Sequence, residues 1–134
     1  MTIAITEIKG MSTETADKLK AKNIKDSAGL LAAAGKAADR RLLAKELGIE
    51  AAQLLEYVNR ADLVRIKGVG AQYSNLLEDA GVDSVKERAR RKAENLHAKL
   101  VEAASASGVK RAPRMDEVEA WIAEAKTMEG AVTH

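Results

Sequence analysis

The segment Lys67-Gly68-Val69-Gly70 contains the residues of this chain that are best suited to chemistry. Glycine tolerates backbone angles that a side chain forbids, so the two glycines predict a tight turn between two helices. A helix that begins after such a turn presents free N–H groups and the positive end of its dipole, which favour an anion. Without a Cβ at Gly68 and Gly70, a phosphate could approach the backbone. The predicted chemistry is therefore anion binding.

Polar side chains near the turn would complete such a site. Lys67 could add a charge-assisted contact, and Gln72 a neutral hydrogen bond. Arg65, Lys86 and Arg88 would contribute if they lie on the same face of the molecule. The glycines make the turn with or without a ligand, so a purely structural turn remains an alternative.

The segments on either side of the turn have the spacing of amphipathic helices. Leu63 and Ile66 are three residues apart and share one helical face. Leu76 and Leu77 give the following helix its apolar stripe, and Gly81 is expected to end it in a left-handed conformation. The turn is therefore expected to connect two packed helices.

Composition predicts an all-α protein. The chain has 134 residues, of which 46% are hydrophobic and only one is proline, and helix-favouring residues dominate. This length is sufficient for one compact domain with a hydrophobic core. Apolar residues at helical spacing are expected to form the remaining core stripes. These residues are Leu42, Leu43, Leu47, Leu54, Leu55, Val58, Leu96, Leu100, Val101, Ala104, Val118, Trp121, Ile122 and Ala125.

Composition also limits the compartment and the kind of partner. The chain has no cysteine, which excludes disulfides and thiol catalysis and fits a reducing cytosol. No apolar run reaches the ~20 residues of a membrane span, and the N-terminus does not resemble a signal peptide. We expect a cytoplasmic protein without a membrane partner. The net charge of +2, from 22 basic and 20 acidic residues, is too small to indicate a polyanion by itself.

The chain contains an internal repeat. Shifting the sequence by 58 positions places Ile8-Lys9-Gly10-Met11 on Ile66-Lys67-Gly68-Val69, and Asn23 on Gly81. The shared Ile-Lys-Gly and the matching helix end predict two related halves.

The repeat divides the chain into residues 1–60 and residues 61–128, followed by a frayed tail at 129–134. No linker rich in glycine, proline or serine separates the halves. The continuous run from Leu54 to Ile66 indicates that they pack as one structural unit.

The segment Leu63-Val-Arg-Ile66-Lys67-Gly68-Val69-Gly70 resembles the helix-hairpin-helix motif. The first copy, Ile5 to Ser12, departs from the motif because Ser12 replaces the second glycine. Over nearly its whole length the chain is also similar to an uncharacterised bacterial family of tandem helix-hairpin-helix domains. The resemblance implies duplicated helix-hairpin-helix units packed as one compact helical domain.

The resemblance further implies contacts with phosphates on both strands of double-stranded DNA, which would be insensitive to base sequence. Lys9 and Gly10 would then supply the contacts of the first copy. Related hairpins also hold a monovalent cation through turn carbonyls, and the sequence leaves this open. Ser12 is expected to cap its own helix and thereby occupy a donor that a phosphate needs. Glu78 and Asp79 also weigh against an anion.

A protein-interaction or assembly module, with purely structural hairpins, is the alternative function. The degenerate first turn and the nearly balanced charge favour it. Catalysis is not expected, because the chain has no recognisable nucleophile motif and no nucleotide-binding loop. His97 and His134 lack metal-ligand spacing. We therefore expect no metal, no cofactor and no small-molecule substrate.

Overall fold

The computed structural model describes residues 2–66, 69–82, 92–107, 111–127 and 132. A short 3-10 helix (Ile5–Glu7) precedes α1 (Thr13–Ala21), α2 (Ser27–Ala34), α3 (Ala37–Leu47), α4 (Ala51–Leu63), α5 (Ala71–Asp79), α6 (Ala93–Ser107) and α7 (Met115–Thr127). Four predicted site residues lie outside the described ranges. These four are Lys67, Gly68, Lys86 and Arg88.

The all-α fold class is confirmed for the described residues, which contain no β-strand beyond an isolated bridge between Ala4 and Asp26. None of the described helices is long and apolar enough to cross a lipid bilayer. The core of the described part is formed where these helices pack against one another.

Local capping determines where several helices begin and end. The Asp26 carboxylate accepts a hydrogen bond from the Gly29 N–H at 2.8 Å and starts α2. Asn23 follows the C-terminus of α1 with φ 66°, and Gly81 follows the C-terminus of α5 with φ 90°. Both residues occupy the left-handed region, as their predicted capping role requires.

The buried apolar side chains form two clusters, which adjoin at the neighbouring residues Leu63 and Val64. The first cluster includes Ile5, Leu19, Leu47 and Leu54 and ends at Val64. The second begins at Leu63 and is built from α5, α6 and α7, with Trp121 in its interior. Helix α4 packs on α2 and α3 and also contacts α5, so it connects the two clusters.

Two of the residues predicted to lie in the core, Leu42 and Val101, are exposed, so these two predictions are wrong. Leu42 is 65% exposed, and Val101 is 42% exposed. Leu43 and Leu47 are buried, and because successive helical residues rotate by about 100°, Leu42 points away from the face they share. Val101 lies one step beyond the buried Leu100 and is turned outward in the same way.

A buried ion pair joins α4 to α5. The Nε of Arg60 donates to the Asn75 side-chain oxygen at 3.0 Å, and its Nη1 lies 3.3 Å from a carboxylate oxygen of Glu78. The two charged side chains are only 9% and 15% exposed. Glu78 is therefore neutralised within the protein, which weakens the argument that it repels an anion at the turn.

Candidate nucleic-acid interface

The two turn regions have the same backbone hydrogen bonds. Each of six bonds made around the first turn and α1 has a counterpart 58 residues later, around the second turn and α5. The donor–acceptor residues are Glu7–Ala4 and Arg65–Asp62, Ile8–Ile5 and Ile66–Leu63, Met11–Ile8 and Val69–Ile66, Ala16–Ser12 and Ser74–Gly70, Asn23–Lys20 and Gly81–Glu78, and Ile24–Leu19 and Val82–Leu77. The described parts of the two regions therefore share much of their backbone hydrogen bonding, although their side chains differ.

No described residue covers the N-terminus of α5 at Gly70. Gly70 is the N-cap residue, with φ −92° and ψ −168°, and no side chain among the described residues caps the helix. A Cβ built on Gly70 would have no described atom within 4 Å. Gln72 is exposed on the first turn of α5, whereas the side chain of Val69 is fully buried in the second cluster. An anion could therefore reach the backbone at Gly70.

The side chain of Ser12 caps the N-terminus of α1. The Ser12 hydroxyl accepts a hydrogen bond from the Thr15 N–H at 3.1 Å and donates to the Thr15 hydroxyl at 3.0 Å. The predicted capping role of Ser12 is thus confirmed. One of the helix donors that an anion would use is already occupied.

The turn between the two helices of the first copy, Ile8–Ser12, is also hydrogen-bonded to α4. Tyr57 is buried, and its hydroxyl donates to the Gly10 carbonyl oxygen at 2.8 Å while accepting from the Gln53 side-chain amide at 2.8 Å. Gly10 has φ 84°, and a Cβ there would lie 3.6 Å from the Tyr57 ring. Lys9 is exposed beside it. Sequence reasoning missed Tyr57, although a buried tyrosine usually requires a partner for its hydroxyl.

Arg65 forms an ion pair with the carboxylate of Asp62. Its Nη1 lies 2.6 Å from an oxygen of Asp62, whose side chain is buried. Arg65 also lines a groove of about 380 Å³ between α2 and α4, together with Leu31 and Ala61. Part of its charge is therefore used to neutralise Asp62.

A cation that the sequence did not assign to the site lies beside α5. The Arg111 guanidinium donates to the Tyr73 hydroxyl at 3.3 Å and to a Glu117 carboxylate oxygen at 2.6 Å. Tyr73 is in the first turn of α5, and helical side chains lean toward the N-terminus. Arg111 therefore contacts a side chain from the first helical turn of α5, the turn that follows Gly70.

The loop that bears Arg111 is held by further polar contacts. The backbone N–H of Arg114 donates to Glu117 at 3.0 Å, and its side chain pairs with Asp116 at 3.0 Å. Hydrogen bonding and charge from this pair raise the pKa of Arg114 and lower the pKa of Asp116. On α6, the Nε2 of His97 lies 3.1 Å from the Pro113 carbonyl oxygen. The loop is thereby attached to α6 and α7.

A family model described as Domain of unknown function (DUF4332) matches residues 9–128. The chain belongs to this family. The DUF4332 match begins within the first turn and ends one residue beyond α7, so it covers the second turn, the whole second cluster and most of the first. No curated protein and no solved structure matches the chain. The description of the DUF4332 family names no activity.

In this DUF4332 chain the predicted site residues fall into separate places. Val69, Gly70 and Gln72 lie together at the start of α5, whereas Lys9 and Gly10 lie at the first turn. Within the described residues, no group of three or more histidine, aspartate or glutamate side chains could hold a metal ion.

Proposed function

We propose that this chain is a non-enzymatic module of two helix-hairpin-helix units that binds the phosphate backbone of double-stranded DNA without sequence preference. Binding occurs at the second turn, where the N-terminus of α5 meets the phosphate. The observation that carries the proposal is the open N-cap at Gly70, which has no side-chain cap and no described atom within 4 Å of an added Cβ.

The recurring hydrogen bonds support two copies of one unit. Six backbone bonds recur at an interval of 58 residues, and α1 and α5 begin and end at that same interval. A shared backbone pattern accounts for the similar turns without requiring that both bind a ligand.

The two copies have different roles in this proposal. The first turn is structural, because Ser12 caps α1 and Tyr57 bonds the Gly10 carbonyl. The second turn binds phosphate, because helix N–H groups and the helix dipole favour an anion where no side chain competes. Contacts of this kind reach the backbone of the duplex and carry no base information.

A salt titration of duplex binding tests the proposal. Binding of the protein to two labelled duplexes of unrelated sequence is measured by fluorescence anisotropy. Affinity should be equal for the two duplexes and should fall with salt, with a slope of about −0.9 per neutralised phosphate. No binding at low salt would refute the proposal.

Gly70→Glu locates the binding site. Gly70 has φ −92°, which other residues adopt freely, so the added side chain should not strain the fold. Its negative charge should repel phosphate and lower the affinity at least about tenfold, the effect of about 1.4 kcal/mol. Ala38→Glu is the matched control, because it adds the same charge at an exposed position on α3. Equal affinities of the two variants would place the contact elsewhere.

The competing candidate is a protein-interaction module with structural hairpins. The internal pairing of Arg65 with Asp62 and of Arg111 with Glu117 favours it, since these cations already have carboxylate partners. Affinity purification from a nuclease-treated lysate at high salt distinguishes the candidates. A stoichiometric partner that is retained by Gly70→Glu would support protein interaction.

A further inference from the structure

Arg111 links two helices through its guanidinium group. One nitrogen donates to Tyr73 on the first turn of α5, and another donates to Glu117 on the first turn of α7. The Arg111 side chain is 57% exposed. It therefore lies at the surface, beside the first helical turn of α5.

The Glu117 carboxylate accepts hydrogen bonds from a group of anion-binding donors at this corner. One of its oxygens accepts hydrogen bonds from the Arg111 guanidinium at 2.6 Å and from the Arg114 backbone N–H at 3.0 Å. The Nε of Arg114 is 3.8 Å from the same oxygen. A guanidinium and a backbone N–H are also the donors that proteins use for phosphate.

We propose that Arg111 is a second phosphate contact of the interface and that Glu117 competes with the phosphate for it. The inference rests on the proposed function, because it concerns the regulation of the same interface. In the free protein Glu117 neutralises Arg111. On the duplex a phosphate replaces the carboxylate at Arg111. The exchange is feasible because the Arg111 side chain is 57% exposed, and Glu117, which is 22% exposed, keeps its hydrogen bond from the Arg114 N–H.

Removing the charge of Glu117 is the direct test. Glu117→Gln keeps an oxygen that can accept from the Arg114 N–H but no longer neutralises Arg111. Glu119→Gln is the matched control, because Glu119 is exposed on the same helix and its loss changes the net charge equally. Both variants are titrated with a labelled duplex by fluorescence anisotropy between about 50 and 200 mM salt, a fourfold range.

Glu117→Gln should bind more tightly than Glu119→Gln and should have a salt slope steeper by about 0.9. Over a fourfold change in salt, that slope corresponds to an advantage that is about 3.5-fold larger at the low-salt end. In an Arg111→Gln background the difference between the two glutamate variants should disappear.

The outcomes separate this inference from the proposed function. If the parent chain binds the duplex and Gly70→Glu weakens it, but Glu117→Gln and Glu119→Gln are equal, only the role of Arg111 is refuted. A difference that persists in the Arg111→Gln background would also refute it. If the parent chain does not bind any duplex at about 50 mM salt, the proposed function and this inference both fail.

Discussion

Exchanging the N-cap residues of α1 and α5 should exchange the properties of the two turns. Gly70→Ser places a hydroxyl where Ser12 has one in the first copy, and the matching Ser74–Gly70 and Ala16–Ser12 backbone bonds place the two positions in the same local geometry. The new hydroxyl should accept from a first-turn N–H of α5, as Ser12 does from Thr15. The donor would then be lost to phosphate.

The expected magnitude follows from the bond that is lost. A hydrogen bond to a charged group contributes about 1.5 kcal/mol, so Gly70→Ser should weaken duplex binding about tenfold. The hydroxyl is neutral and leaves the helix dipole in place, so the salt slope should become shallower by less than the ~0.9 of one full phosphate contact. The free energy of unfolding should rise by only about 0.3 kcal/mol, because serine and glycine are both good N-cap residues.

The reciprocal change tests the other copy. Ser12→Gly should free the Thr15 N–H and strengthen binding if the first turn can also reach a duplex. Fluorescence anisotropy gives the affinities and slopes, and thermal melting followed by circular dichroism verifies that each variant is folded. The reasoning is refuted if Gly70→Ser is folded and binds with the affinity and salt slope of the parent chain.

Two further predictions concern the contacts that hold the turns in place. Glu78→Ala should lower the free energy of unfolding in urea by about 3 kcal/mol, because it leaves Arg60 buried without its carboxylate. The double variant Arg60→Met/Glu78→Leu should recover most of that loss, and an equally unstable double variant would contradict this account. Tyr57→Phe should cost about 1–2 kcal/mol, since the Gly10 carbonyl loses its donor. An unchanged urea midpoint for Tyr57→Phe would show that water replaces the hydroxyl at no cost.

Features that depend on neighbours in the sequence could be predicted. The cap at Ser12 and the left-handed residues Asn23 and Gly81 follow from side-chain chemistry within a few positions. The all-α class follows from composition. Even so, periodicity alone did not separate Leu42 from Leu43, because adjacent residues differ by only one helical step and the position of the partner helix decides which is buried.

Features that depend on tertiary pairing could not be predicted. Tyr57 and Gly10 are 47 residues apart, and Arg111 and Tyr73 are 38 apart. Nothing in local spacing indicates that these groups meet. For the same reason, proximity in sequence indicates Arg65 as a charge near the second turn, whereas the structure pairs Arg65 with Asp62 and brings Arg111 into contact with Tyr73 on α5.

The meeting of the two clusters at Leu63 and Val64 has a consequence for how the chain tolerates changes in length. These adjacent residues belong to different clusters and lie at the end of α4. An extra residue inserted in the middle of α4 would rotate everything beyond it by about 100° and move it by about 1.5 Å. One of the clusters would then lose its alignment with the helix. Insertions should be accepted more readily at 35–36 or 48–50, between helices, than anywhere within α4.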